Sequence, residues 1–227
     1  MVAAATGGSG PIGGVNKMTN AQKIYLYIFF IFAIAYIVAL PFQPYPGNFV
    51  IKEIPDITLA ILALTAVIGL RGKLLFVAVL FCAAGGVALE LEAGKYFIVG
   101  LVFFLLAHVM YIVTFSRDLK AQKSRIPAVV LLVIYGLIMA FVLRPGLKEM
   151  ALPVYFYLVV ITTMGIFAAL RASKSKLVLL GAISFIVSDS ILAVNKFLVP
   201  VPASDYLVMI TYYLAQFLIV YGFVKSD

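Results

Sequence analysis

The chain has 227 residues, 65% of them hydrophobic and 11% charged, against about half and about one quarter in an ordinary soluble domain; a soluble single-core protein is excluded. The net charge of +8 rests on 17 basic residues separated by long apolar runs, so no dense basic stripe exists and no nucleic-acid partner is expected. One cysteine, Cys82, and one histidine, His108, exclude an internal disulfide, a CxxC redox site and a histidine-rich zinc site.

Residues 1–17 are Gly-rich, lack the apolar core of a signal peptide and read as a disordered cytosolic extension; residues 18–227 read as one membrane domain. A spanning helix needs about 20 mainly apolar residues. Cutting the chain at charges, prolines and glycines predicts eight spans, at 24–42, 55–70, 74–91, 97–116, 126–143, 153–170, 177–198 and 205–224. The fold class is therefore all-α, a polytopic bundle with both termini on one side. That side carries Lys17, Lys23, Arg71, Lys73, Arg117, Lys120, Lys123, Arg125, Arg171, Lys174, Lys176 and Lys225, whereas the other carries Lys52, Lys95, Arg144, Lys148 and Lys196. The positive-inside rule makes the richer side, and hence both termini, cytosolic.

A charge at the centre of a spanning helix costs about 2.5–3.5 kcal/mol on insertion scales, so each buried polar residue needs a reason. In chain order, Lys52 lies at the mouth of the second span, where it snorkels to headgroups or binds substrate, and Pro55 suits that helix's first turn. The third span carries the small-residue run Cys82 to Gly86, which permits close helix approach. Glu90 follows one turn later on the face of Gly86, and Glu92 reads as a loop charge. In the fourth span His108 and Tyr111 lie three residues apart, and Tyr212 with Gln216 makes a similar stripe in the eighth; these line a wet cavity or share hydrogen bonds across helices. Asp189 interrupts the apolar seventh span, with Asn195 and Lys196 further along. It reads either as a functional carboxylate or as an acceptor tying two helices together.

Several segments together resemble the lysoplasmalogenases of the eight-helix membrane type, a family that includes bacterial inner-membrane proteins. They are IKEIP at 51–55, FCAAGG at 81–86, YFIVGL and AHVMYI within 96–112, the Tyr157 and Met164 positions, GAISFIVSDSILAVNKF at 181–197 and MITYYLAQ at 209–216. The resemblance implies hydrolysis of the vinyl ether of a lysoplasmalogen to a fatty aldehyde and glycerophosphoethanolamine or glycerophosphocholine, with no metal or organic cofactor. It implies a lysophospholipid substrate, membrane lipids as surroundings, and an endoplasmic reticulum or bacterial inner membrane location. Protonating the double bond and capturing the oxocarbenium ion with water calls for one protonated carboxyl and one anionic group.

The family pattern carries an aspartate where this chain has Gly86. Counted from Leu74 and Leu177, Gly86 and Asp189 would lie at one level, about 18 Å deep, leaving Glu90 as the carboxylate nearest to a partner for Asp189. Three readings follow: a working hydrolase using Asp189 and Glu90; a weakened, lysophospholipid-binding member in which Gly86→Asp would raise activity; or a lipid or solute permease with Asp189 and Lys196 as a charge relay. In the first, His108, Tyr111, Tyr212 and Gln216 position water or the headgroup, and Lys52, Asn195 and Lys196 bind near the phosphate. No GxSxG elbow is present, so a serine hydrolase has no support.

Overall fold

A computed structural model describes residues 18–91, 95–120, 123–172 and 175–226; the predicted extension 1–17 and Glu92 lie outside these. The described residues form eight α-helices: α1 Asn20–Ala39, α2 Asn48–Ala66, α3 Leu70–Glu90, α4 Phe97–Ser116, α5 Ile126–Leu147, α6 Ala151–Leu170, α7 Leu177–Phe197 and α8 Ser204–Val224. They include no β-strand, only an isolated bridge between Leu119 and Arg171. Six helical stretches are long and apolar enough to cross a membrane, one of them the 45-residue run 126–170 that contains both α5 and α6. A helix of 21 residues, such as α7, rises about 31 Å, close to the thickness of a bilayer's hydrocarbon core. Outward-facing Ile31, Val38, Leu137, Phe141 and Leu152 are more than half exposed, as surfaces meeting lipid must be.

Local signals set several helix ends. Thr19 and Gln22 form a reciprocal capping box at the start of α1, satisfying two donors that the first turn leaves free. Pro127 stands in the first turn of α5, where its missing N–H removes no helical bond. Gly47, with φ +78°, precedes α2, and Gly69, with φ +72°, precedes α3; both adopt backbone that a Cβ would strain.

The second span differs most from expectation. It starts at Asn48, so Pro55 lies inside the helix and not in its first turn, and Lys52 is 8% exposed, buried in the bundle instead of snorkelling to the surface. The physical reason is that Lys52, Glu53 and Asp56 face other helices, not lipid. Cutting at charges presumes that charges lie outside the membrane, and here that presumption shortens the helix by two turns. For the same reason α3 begins at Leu70, ahead of Arg71 and Lys73, and α5 continues past Arg144 and Pro145.

In the packing, α2 lies against α1, α3 and α8; α4 against α3 and α6; and α7 against α8, α6 and α5. Glycines set the closest approaches. A Cβ on Gly181 would come 2.9 Å from the Ala215 carbonyl oxygen of α8, and one on Gly85 would come 2.8 Å from the Phe104 ring of α4. At the end of the bundle near the termini, Asp118 receives hydrogen bonds from Arg71 and Arg171, each at 3.1 Å, and the Arg171 guanidinium lies 3.8 Å from the centre of the Phe223 ring. This cluster ties α3, the segment after α4, the end of α6 and α8 together. Buried inside the helix ring is a continuous apolar core that includes Leu59, Leu75, Phe115, Met164, Phe185 and Phe223.

Candidate functional site

The polar groups of the interior gather in the half of the bundle that carries the α1–α2, α3–α4 and α7–α8 connections. Measured from those ends at 1.5 Å per residue, Gly86 lies about 6 Å and Glu53 about 7 Å deep, while Asp56, Asp189 and Tyr212 all lie about 12 Å deep. Gly86 and Asp189 are thus about one turn apart in depth and not at one level, because α3 starts and ends earlier than the charge-based cut supposed.

Two cavities meet at Asp189. One is polar, of about 250 Å³, and its wall includes Lys52, Gly86, Glu90, Asp189, Asn195 and Tyr212. The other is almost wholly apolar, with Leu101, Met139, Leu143, Ile161 and Phe197 in its lining. Leu89, Phe104, Asp189 and Leu192 belong to both. Among the described residues, Asp189 is therefore the one carboxylate standing between a water-compatible chamber and a hydrocarbon-compatible one. It accepts a hydrogen bond from the Tyr157 hydroxyl of α6, and a neighbouring bond from Tyr135 to Ser190, 2.8 Å, fixes the next residue of α7.

On the opposite wall, the Lys52 ammonium donates to Glu90 Oε2 at 2.9 Å and to the Gly86 carbonyl at 3.2 Å, and Asn48 Nδ2 donates to Glu90 Oε1 at 2.5 Å. Glu90 thus faces the cavity with both oxygens engaged. Tyr213 donates to the Lys52 carbonyl at 2.7 Å, which anchors α2 on α8. Deeper, the Tyr212 hydroxyl donates to Asp56 and accepts from Gln216 Nε2 at 3.2 Å, while Tyr111 donates to Gln216 Oε1 at 2.6 Å. Tyr111 and Gln216 thereby form the buried continuation of the site, joining α4 to α8 and through Tyr212 to α2.

His108 is fully buried. Its Nδ1 lies 2.5 Å from the Phe104 carbonyl, which assigns the proton to Nδ1 and leaves Nε2 as an acceptor. The ring stands edge-on to Tyr157 and Phe185, at 5.3 and 4.7 Å. Asn195 lines the polar cavity while its Oδ1 accepts from the Val201 N–H at 2.9 Å, holding the α7–α8 connection. Lys196 is exposed, with its ammonium 5.1 Å from the centre of the Phe97 ring, and lines neither cavity. The structure therefore gathers Lys52, Glu90, Asp189, Asn195 and Tyr212 around one space, joins Tyr111 and Gln216 to it by hydrogen bonds, and leaves Lys196 apart. Among the described residues, no group of three or more His, Cys, Asp or Glu side chains has the arrangement of a metal site.

Sequence reasoning missed Glu53 and Asp56. Both are buried, at 7% and 0% exposure, and they lie one turn apart on α2. A Cβ built on Gly86 would fall 2.2 Å from Glu53 Oε1, so the carboxylate of Glu53 fills the space that the glycine leaves. The signal was present in the segment KEIPD: once Lys52 is taken as inside the helix, Glu53 and Asp56 are inside it too, at the i, i+3 spacing of one helical face.

Residues 47–223 match the YhhN family. The chain is 34% identical to the human lysoplasmalogenase TMEM86A over 161 residues, covering 67% of this chain and 65% of that protein. It is 29% identical over 173 residues to the lysoplasmalogenase of Mycobacterium tuberculosis, covering 74% of this chain and 66% of the relative. The chain thus spans just under two thirds of the length of these relatives. No solved structure matches it. With its apolar helices, the similarity makes the chain an integral, multi-pass membrane protein.

Proposed function

The chain belongs to the YhhN family, and from that premise we propose that it is a lysoplasmalogen hydrolase whose working carboxylate is Asp189. The observation that carries this reading is the position of Asp189 between an apolar and a polar cavity, because a lysoplasmalogen joins a long hydrocarbon to a glycerophosphate headgroup through the one bond to be cut. With the alkenyl chain among Leu101, Met139 and Leu143 and the headgroup beside Lys52 and Asn195, the vinyl ether comes to Asp189.

The reaction consumes one water. A proton adds to the double-bond carbon remote from the ether oxygen, generating an oxocarbenium ion; water adds to the cationic carbon and gives up a proton, and the hemiacetal collapses to aldehyde and alcohol. One group must give the first proton and an anionic group must stabilise the cation and receive the second. Asp189, held by Tyr157, serves as the anionic group, and Glu90, held by Lys52 and Asn48, stands on the same cavity wall, which also includes Asp205. Tyr212, Gln216, Tyr111 and His108 orient water and headgroup from behind. All eight helices span the bilayer with both termini cytosolic, so the polar cavity faces the opposite interface, in an endoplasmic reticulum or bacterial inner membrane.

The test is aldehyde release from lysoplasmenylethanolamine by the purified protein in detergent. Asp189→Asn is expected to lower turnover by about 10²-fold or more. Full turnover in that variant would remove Asp189 from the scheme, and absence of aldehyde from the unaltered protein would remove the reading.

A further inference from the structure

Asp189 has a donor in Tyr157 and Glu90 has donors in Lys52 and Asn48. The carboxyls of α2 do not. Both oxygens of Glu53 and Oδ1 of Asp56 are fully buried, with no hydrogen-bond donor among the described residues. The two groups lie one turn apart on the same face of α2, and Asp56 Oδ2 accepts from Tyr212. Three acceptor oxygens enclosed with no donor would leave two carboxylates unsatisfied side by side, which a low-dielectric interior does not tolerate. A single proton on the pair removes one charge and engages one oxygen of each group, because a protonated carboxyl becomes a donor to its neighbour.

We propose that Glu53 and Asp56 share a proton and form the acid of the site, with Asp189 as its anionic counterpart. The inference rests on the hydrolase reading. Three features tie the pair to the reaction space. Glu53 packs in the notch of Gly86, and Gly86 lines the polar cavity. Asp56 is bonded to Tyr212, which lines the same cavity. By depth, Asp56, Tyr212 and Asp189 lie at one level, about 12 Å in. The proton passes from the pair through the Tyr212 hydroxyl, which lines the polar cavity, to the remote carbon of the vinyl ether, leaving both α2 carboxyls ionised. Asp189 takes a proton from the attacking water and passes it, as the hemiacetal collapses, to the departing glycerol oxygen. As the carbonyl forms, the hemiacetal hydroxyl releases its proton, which returns to the pair, so one water is consumed and the acid is restored. A Cβ at position 86 would displace the Glu53 carboxyl from the notch.

The decisive variant is Glu53→Gln, whose amide copies the shape of the protonated acid and still donates to Asp56 but has no proton to give. Aldehyde release from lysoplasmenylethanolamine should fall in kcat by about 10²-fold or more with KM within about threefold. The midpoint of thermal unfolding should hold within about 2 °C. Wild-type kcat in Glu53→Gln, with the unaltered protein active, overturns the proposal and leaves the hydrolase reading standing; an inactive unaltered protein overturns the hydrolase reading itself. A cycle of Gly86→Ala, Glu53→Ala and the double variant tests the notch apart from activity. Gly86→Ala should lower the unfolding midpoint more with Glu53 present than once Glu53 is Ala, and equal changes in both backgrounds would show that Glu53 does not fill the notch.

Discussion

Replacing Lys52 by Met removes a charge that the structure ties to Glu90 at 2.9 Å, with the two side chains 10% and 18% exposed. Deleting one partner of a buried ion pair costs about 3–5 kcal/mol, because the other charge is left uncompensated. Here Glu90 keeps its Asn48 donor at 2.5 Å and some access to the cavity, so the loss is placed at about 2–4 kcal/mol. For a chain of this size that corresponds to about 4–16 °C in the unfolding midpoint. The chain has no tryptophan to report unfolding, but Cys82 is its sole cysteine and fully buried, so a thiol-reactive dye reads the transition directly in detergent. The double variant Lys52→Met/Glu90→Gln should regain about half of the loss, since a neutral amide in place of Glu90 no longer strands a charge. A Lys52→Met midpoint equal to wild type, or a double variant no better than the single one, would mean that Lys52 reaches for headgroups and that the Glu90 pairing has no energetic weight.

Two more variants probe the cavity walls. Gly86→Asp, with Glu53 retained, sets its Cβ 2.2 Å from Glu53 Oε1 and adds a third carboxyl to a buried pair; it should destabilise by about 3 kcal/mol or more and not raise aldehyde release. The dye midpoint and the turnover assay check both, and a gain of activity in the single variant would refute the packing. Ala193→Phe fills part of the apolar cavity; kcat/KM should fall by about tenfold for a long alkenyl chain and little for a short one, and equal losses for both would argue that the chain binds elsewhere.

Eight helices and their order were legible because a 20-residue apolar run has one economical use; Thr19, Gly47 and Gly69 mark starts of α1, α2 and α3 that cutting at charges put four to seven residues too late. Asp189 was legible for a related reason: one carboxylate in an otherwise apolar helix stands out. The ends of α2, α3 and α5 were not, since charge marks a helix end only if the charge is outside the bundle. Glu53 illustrates the limit. In sequence it is one of two acids beside a lysine at the edge of an apolar run, indistinguishable from a solvated loop charge.

Composition and periodicity thus determined an all-helical membrane protein, and the clustered motifs pointed to its family. Those properties follow from the solvent each residue prefers and from spacing along a single helix. Which carboxyls meet was decided only by the tertiary structure, because it depends on the rotation and depth of α2 against α3 and α8. The absence of a side chain at Gly86 becomes informative only once the Glu53 carboxylate is seen in the space a Cβ would take. A pairing between residues 33 positions apart is a property of helix packing, and no local pattern encodes it.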